Sequence, residues 1–276
     1  MDTTNQTIRW GIIGCGNVTE VKSGPAYQKV KNFKLAAVMR RNEALAKDYA
    51  QRHGVEKYYA NADDLINDPD IDAVYIATPP DSHKEYAVKV AQAGKICCVE
   101  KPLAPSLQDS QAILDAFKAA DVPLFVAYYR RSLPRFTKVK YLIDSGKIGK
   151  VRHISWSLYK STSELDLSKQ YNWRTDKKVA LGGYFDDLAS HGLDLFAYLL
   201  GDYHKVCGMG NNQQDLYTAF DTVTACWQHK TGVTGTGNWN FGSYSNSDKV
   251  SIIGSKGELN FSVIDETSIK IKTATS

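Results

Sequence analysis

Along residues 1–125, apolar runs of strand length alternate with segments whose hydrophobic positions recur at helical spacing, the pattern of a parallel sheet with helical crossovers. Strands are expected at Ile8–Ile13, Phe33–Met39, 73–77, Ile96–Val99 and 124–127. Helices are expected over Glu43–His53 and 83–93, stopped by Gly54 and Gly94, residues suited to a left-handed helix end. Ser106-Leu107-Gln108-Asp109 reads as a capping box opening a helix through Ala120. Gly24-Pro25 falls where the first crossover helix belongs, so that helix is expected to be short or broken.

Beyond Pro123 the period changes. Pro134–Asp144 reads as a helix finishing near Gly146. From Val151 the signal alternates: Ile154, Trp156 and Leu158 interleave with serines and Tyr159, and Val223, Ala225 and Trp227 with threonines and Cys226. Turns at Lys230-Thr231-Gly232 and Ser255-Lys256-Gly257 join strands expected around 233–241, 250–253 and 259–264. One helix, 187–200, interrupts them and is stopped by Gly201. The expected architecture is α/β: a doubly wound parallel sheet over residues 1–125, then an α+β domain over 126–276 with a large open, mostly antiparallel sheet.

Composition narrows the class only a little. The net charge of +4 is too small to argue for nucleic acid or a membrane surface as partner. Residues 1–7 are polar and lack the apolar core of a signal peptide, and no run approaches the ~18 apolar residues of a membrane span. A soluble, cytoplasmic protein is expected. The five cysteines are odd in number and include no CxxC pair, which predicts reduced, mostly buried thiols and no thiolate zinc site.

Gly14-Cys15-Gly16-Asn17-Val18-Thr19 follows the first strand, where a dinucleotide fingerprint belongs. Gly14 would permit the tight turn, and Gly16 would let a pyrophosphate approach the backbone beside Asn17 and Val18 at the positive end of the next helix. Such a turn is often only structural, but its place in a strand–turn–helix unit favours nucleotide binding. The second strand ends in Met39-Arg40-Arg41-Asn42, with no acid to bind ribose hydroxyls. Arg40 and Arg41 therefore predict NADP(H) over NAD(H), with NAD(H) possible, because guanidinium groups pair with a 2′-phosphate. A solvated basic turn is the plainer alternative.

Further along stand Ala77-Thr78-Pro79-Pro80 with His83, then Glu100-Lys101-Pro102-Leu103, then Gly182-Gly183 leading into Asp187, His191 and Asp194. In that order, and with the glycine loop, these motifs resemble the Gfo/Idh/MocA oxidoreductases over nearly the whole chain. The resemblance implies a Rossmann domain followed by an α/β domain, an NAD(P) cofactor, and sugars, cyclitols or related small polyols as substrates. It implies that Thr78, Pro79, Pro80 and His83 line the nicotinamide-ribose end of the cofactor site, with Glu100 and Lys101 beside them. It makes Lys101, Asp187 and His191 the catalytic set, and has Arg130, Trp173 and Arg174 frame the substrate. The sequence departs from the family pattern at Thr19, where a small residue is usual, and at Ala189, where glycine is common. It also ends at Ser276, where relatives continue through a closing strand and a helix.

Asp187, His191 and Asp194 are spaced four and three apart, so a regular helix sets them on one side. In alcohol oxidation His191 would take the hydroxyl proton, Lys101 would stabilise the developing alkoxide, and Asp187 would orient the imidazole. A metal reading of the same three residues lacks a further ligand, and no metal is expected. Trp173-Arg174 could equally be a simple stacking pair. Trp227, Trp239 and Phe241 read as packing residues, Tyr184, Phe185 and Tyr244 as possible pocket borders, and Arg130, Arg131, Arg135, Lys138 and Lys140 as a solvated basic face. The rival from another class is a non-catalytic NADP(H) sensor, which would have no chemical need for Lys101, Asp187 and His191 together. An apolar open sheet face would favour a homo-oligomer, a dimer or tetramer.

Overall fold

The computed structural model describes residues 7–273, so the polar opening stretch at 1–6 and the chain end at 274–276 lie outside the described residues. The chain divides into two compact units, up to Ala127 and from Tyr128 onward.

In the first unit six strands run in the order β3-β2-β1-β4-β5-β6. They are β1 (Ile8–Ile13), β2 (Phe33–Met39), β3 (Lys57–Tyr59), β4 (Ala73–Ile76), β5 (Ile96–Val99) and β6 (Leu124–Val126), and every pairing is parallel. β4 is buried at all four positions, as a strand covered on both faces must be, which is why it reads as an unbroken apolar run. The order reverses between β1 and β4, where a doubly wound sheet opens its ligand crevice beyond the strands' carboxyl ends. β3, three half-exposed residues that carry no period, and the six-residue helix α4 (Ala62–Asn67), too short to show one, have no counterpart in the sequence reading.

The first crossover is broken, as Gly24-Pro25 suggested, into α1 (Asn17–Val21) and α2 (Ser23–Lys29). A Cβ on Gly24 would stand 2.3 Å from the Thr19 carbonyl oxygen and 2.4 Å from the Tyr49 hydroxyl, which itself donates to that carbonyl. Space for the buried Thr19 is thus provided five residues downstream. The helices α3 (Glu43–His53), α5 (His83–Gln92) and α6 (Leu107–Ala120) complete the unit. Gly54 and Gly94 take the left-handed conformation, and the Ser106 hydroxyl accepts the Asp109 N–H.

The second unit holds a seven-stranded sheet in the order β13-β12-β11-β7-β10-β9-β8. Its strands are β7 (Val151–Tyr159), β8 (Tyr203–Asn211), β9 (Thr222–His229), β10 (Thr234–Asn240), β11 (Ser247–Gly254), β12 (Gly257–Phe261) and β13 (Lys270–Thr273), antiparallel except for β7 beside β10. One face packs on α7 (Pro134–Asp144) and α9 (Ser190–Leu200) through a core centred on Trp156, Trp239, Trp227 and Phe196. Gly192 lets α9 lie directly on Trp156, because a Cβ there would fall 2.3 Å from the indole. Trp227, Trp239 and Phe241 are packing residues, and Tyr244 is fully exposed.

Three expectations need correction here. The open face presents His153, Ser155, Ser157, Thr234, Thr236 and Asn238 rather than an apolar surface, so hydrophobic cover gives no reason for assembly. Helix 187–200 starts instead as a π-helical turn, Phe185–Ala189, before α9 begins. The thiols are not mostly buried: Cys15 and Cys97 are, but Cys207 and Cys226 are exposed. Among the described residues no helix is long and apolar enough to cross a membrane.

Candidate functional site

Gly14 adopts φ +89°, and a Cβ there would lie 2.7 Å from the Thr78 methyl group. Its N–H and that of Cys15 both reach the Met39 carbonyl, at 2.9 and 3.2 Å, so the glycine loop is fastened across the carboxyl ends of β1 and β2 and against the turn after β4. Around Gly16 the position of a Cβ meets nothing nearer than 3.9 Å, which leaves its backbone open to approach. Asn17 and Val18 open the first turn of α1, where backbone N–H groups have no partner inside the helix. Thr19 closes the loop from within: its hydroxyl accepts the Gly16 N–H and donates to the Gly16 carbonyl, both at 2.9 Å. Arg40 and Arg41 are exposed just beyond β2, and the Arg40 guanidinium donates to the Cys15 carbonyl at 3.4 Å. An open glycine cradle with a guanidinium above it fits a dinucleotide phosphate.

Two neighbouring turns, Thr78-Pro79-Pro80 after β4 and Glu100-Lys101-Pro102 after β5, are bound together by His83. Its Nε2 lies 2.8 Å from the Thr78 carbonyl, and its Nδ1 lies 3.1 and 3.2 Å from the carbonyls of Pro102 and Leu103. Burial holds its pKa below the ordinary histidine value, although those carbonyls pull the other way. His83 is wholly buried and pins the two turns together. Glu100 accepts the Lys101 N–H on Oε2 at 3.1 Å and the Tyr75 hydroxyl on Oε1. Lys101 thus projects from a backbone held on both sides, through a cis Lys101–Pro102 peptide.

In the second unit, Asp187 lies in the π-helical turn and takes the Arg174 Nε–H on Oδ2 at 2.6 Å. The Arg174 guanidinium also stacks 4.4 Å above Trp173, the stacking pair that the sequence allowed. Asn172 caps the Trp173–Thr175 turn and donates to the Tyr184 hydroxyl at 3.0 Å; Tyr184 donates to Asp166 at 2.8 Å, and Asp166 accepts the Ser163 hydroxyl. Burial, with the Asp166 hydrogen bond, pushes the Tyr184 phenol up to about 12. The glycine pair ahead of the turn is required: Gly183 has φ +63°, and a Cβ there would strike the Phe220 carbonyl at 2.5 Å. Asp186 accepts the Gly182 N–H, and burial raises its pKa, opposed by that hydrogen bond and aided by Asp187.

His191 is 6% exposed, with the rings of Tyr128 and Tyr129 edge-on at 6.3 and 5.7 Å. The π-helical turn takes Asp187 out of regular helical phase with His191 and Asp194, which both lie in α9, and Arg131 holds the Asp194 carboxylate from two nitrogens, Nε at 2.7 Å. The basic stretch is only partly solvated. Arg130 donates to the Val263 carbonyl at 2.7 Å, and Arg135 binds the carbonyls of Ser262, Asp265 and Thr267. Arg130 thereby pins its turn to the segment that holds Val263, and burial lowers its pKa. Lys140 pairs with Asp144 on the surface.

Tyr75, Asp166 and Asn172 enter these networks without having been singled out in the sequence. Tyr75 sits in an apolar run and reads as core. Ser163-x-x-Asp166 has capping-box spacing and was the available signal for Asp166. Among the described residues no group of three or more His, Cys, Asp or Glu side chains is placed to hold a metal ion.

Residues 8–128 match a family described as "Oxidoreductase family, NAD-binding Rossmann fold", and residues 136–260 match the "GFO/IDH/MocA C-terminal domain". Oxidoreductase P35 of Formosa agariphila is 40% identical over 94% of this chain and 81% of its own length. Levoglucosan dehydrogenase of Pseudarthrobacter phenanthrenivorans is 32% identical over 73% of this chain and 53% of its own. A solved levoglucosan dehydrogenase in complex with NADH and L-sorbose superposes with a TM-score of 0.88 at 26% identity, covering 98% of this chain and 77% of that one.

Proposed function

The chain belongs to the Gfo/Idh/MocA oxidoreductases, and from that premise we propose that it transfers a hydride between NADP(H) and a CH–OH or ketone carbon of a sugar, cyclitol or related small polyol. One observation carries the reading: His83 joins the Thr78 and Lys101 turns at the carboxyl ends of adjacent parallel strands, with the glycine loop packed against Thr78. Similarity to proteins named for levoglucosan, one of them solved with L-sorbose, supports the carbohydrate class.

Bound nicotinamide supplies the hydride acceptor or donor. Gly14, Gly16, Asn17 and Val18 receive the pyrophosphate, Arg40 and Arg41 the 2′-phosphate, and Thr78, Pro79 and Pro80 border the nicotinamide ribose. His83 and Glu100 position these turns. On alcohol oxidation His191 accepts the hydroxyl proton, and in reduction it returns one. The Lys101 ammonium stabilises negative charge as it develops on the substrate oxygen. Asp187, held by Arg174, stabilises the imidazolium that forms, and the Trp173 ring with the Arg174 guanidinium offers a flat, cationic surface for a polyol.

The test is a screen of NADP⁺-dependent absorbance change across pyranoses, cyclitols and their ketones, with fluorescence titration of NADPH and NADH. Turnover of at least one polyol and tighter binding of NADPH are expected. Arg40→Ala should weaken NADPH by about tenfold and leave NADH nearly unchanged, as loss of one charge-assisted pairing with phosphate requires. Equal affinities for the two cofactors would remove the NADP(H) assignment, and silence across the panel would remove hydride transfer to polyols.

A further inference from the structure

We propose that Cys207 and Cys226 are a thiol–disulfide modification site, closing into a reversible bond across the last two strands of the second sheet. β8 and β9 are antiparallel, and their register sets Cys207 directly opposite Cys226. Residues so paired have Cα atoms about 4.5–5.5 Å apart and side chains on one face, within the range of about 4.4–6.8 Å that a disulfide spans. The preceding and following positions identify that face: Val206 pairs with Trp227, whose ring is in the core, so the two cysteines point to the open side. Both are exposed.

Their surroundings admit a small reagent. The two thiols border an open concavity of about 700 Å³ whose other walls include Lys205, Gln228, Thr234 and His153. Lys205 stands two positions before Cys207 on the same face and offers a cation to an anionic thiol reagent. The remaining cysteines lack such access: Cys15 and Cys97 are buried, and burial pushes the half-buried Cys98 thiol up to about 11. β8 is also the sheet's edge, so a covalent link to β9 clips a strand that has a neighbour on one side only.

With oxidised glutathione as oxidant the exchange balances. One cysteine thiolate attacks a glutathione sulfur, forming a mixed disulfide and expelling one reduced glutathione. The opposite cysteine, losing its proton, attacks the protein-bound sulfur, forms the Cys207–Cys226 bond and expels the second. The protein loses two hydrogens, and the oxidant is reduced to two thiols.

Trypsin cleavage after Lys205 and Lys230 releases both cysteines in one peptide, 206–230, with no Lys or Arg between them. After the folded protein is treated with oxidised glutathione, that peptide should be lighter by two hydrogens and refuse alkylation until reduced. In Cys207→Ser the remaining Cys226 should instead keep one glutathione, and Cys226→Ser should leave one on Cys207. Two glutathione adducts on the wild-type peptide, an unmodified peptide, or a disulfide joining two chains would each overturn the proposal. Mapping the wild-type protein decides the matter without relying on either variant.

Discussion

Gly14 at the end of β1 and Asp187 ahead of α9 are both held in place, but by neighbours of different kinds. Gly14 is fixed by the Met39 carbonyl and the Thr78 turn, which are the ends of adjacent strands; sheet order alone brings them there. Asp187 is fixed by the Arg174 side chain, which stacks on Trp173, in a turn capped by an asparagine that reaches Tyr184 and, through its hydroxyl, Asp166. The nucleotide half therefore holds its chemistry through backbone geometry, and the sheet half through side chains reaching across irregular segments. Damage should follow that division: backbone changes in the first unit should affect cofactor binding, and side-chain changes in the second should affect turnover.

The largest effect is expected where the chemistry itself is removed. Lys101→Met and His191→Asn should each lower kcat by at least ~10²-fold, the scale of losing a general acid–base or electrostatic group, while the NADPH dissociation constant stays within about threefold. Steady-state kinetics with fluorescence titration checks both. Unchanged turnover in either variant would assign that residue to structure instead.

Asp187→Asn sharpens the contrast. The amide keeps the shape and can still face Arg174, but it cannot stabilise a neighbouring imidazolium, so kcat should fall by about 10–100-fold with cofactor affinity and thermal midpoint preserved. A kcat loss that disappears at high pH would point to a shifted ionisation; a loss at every pH is the expected result. Gly14→Ala is the counterpart. Its added methyl meets Thr78 at 2.7 Å in a conformation that alanine disfavours, at a cost of about 1–3 kcal/mol. NADPH affinity should drop by about tenfold, with a lower unfolding midpoint and a smaller change in kcat at saturating cofactor. If Gly14→Ala spared binding and Asp187→Asn abolished it, the proposed division of labour would be reversed.

The same division explains what could be read in advance. The glycine loop, the Thr78 and Lys101 turns and their strands were legible because each is a local pattern: a buried run, then a turn at the strand's carboxyl end. The partners of the acidic and basic side chains were not legible. Arg174 lies 13 positions from Asp187, Arg131 lies 63 from Asp194, and Arg135 lies 127 from Ser262, so only the folded chain selects those pairs. β8 left no alternation because eight of its nine positions are exposed. The π-helical turn at Phe185–Ala189 has no hydrophobic period of its own, and 187–200 therefore read as one regular helix.

The smallest effect comes from an ion pair inside the backbone-held unit. Glu20 in α1 meets Arg52 at 2.7 and 3.0 Å and His53 at 2.7 Å, both at the end of α3. Hydrogen bonds from Arg52, helped by His53 and opposed by burial, hold its carboxyl down to about 2. Because the folded value lies below the unfolded one of about 4.3, the pair stabilises the protein above that range, and its contribution is lost as pH falls through about 2. Glu20 is near the surface, so Glu20→Gln should cost at most ~1 kcal/mol at neutral pH. Urea unfolding should show that gap closing as pH falls from about 5 toward 2, since the wild type loses a charge that the variant never had. A gap that persists into acid would mean that Glu20 acts through packing, and that α1 depends on side chains more than the glycine loop beside it does.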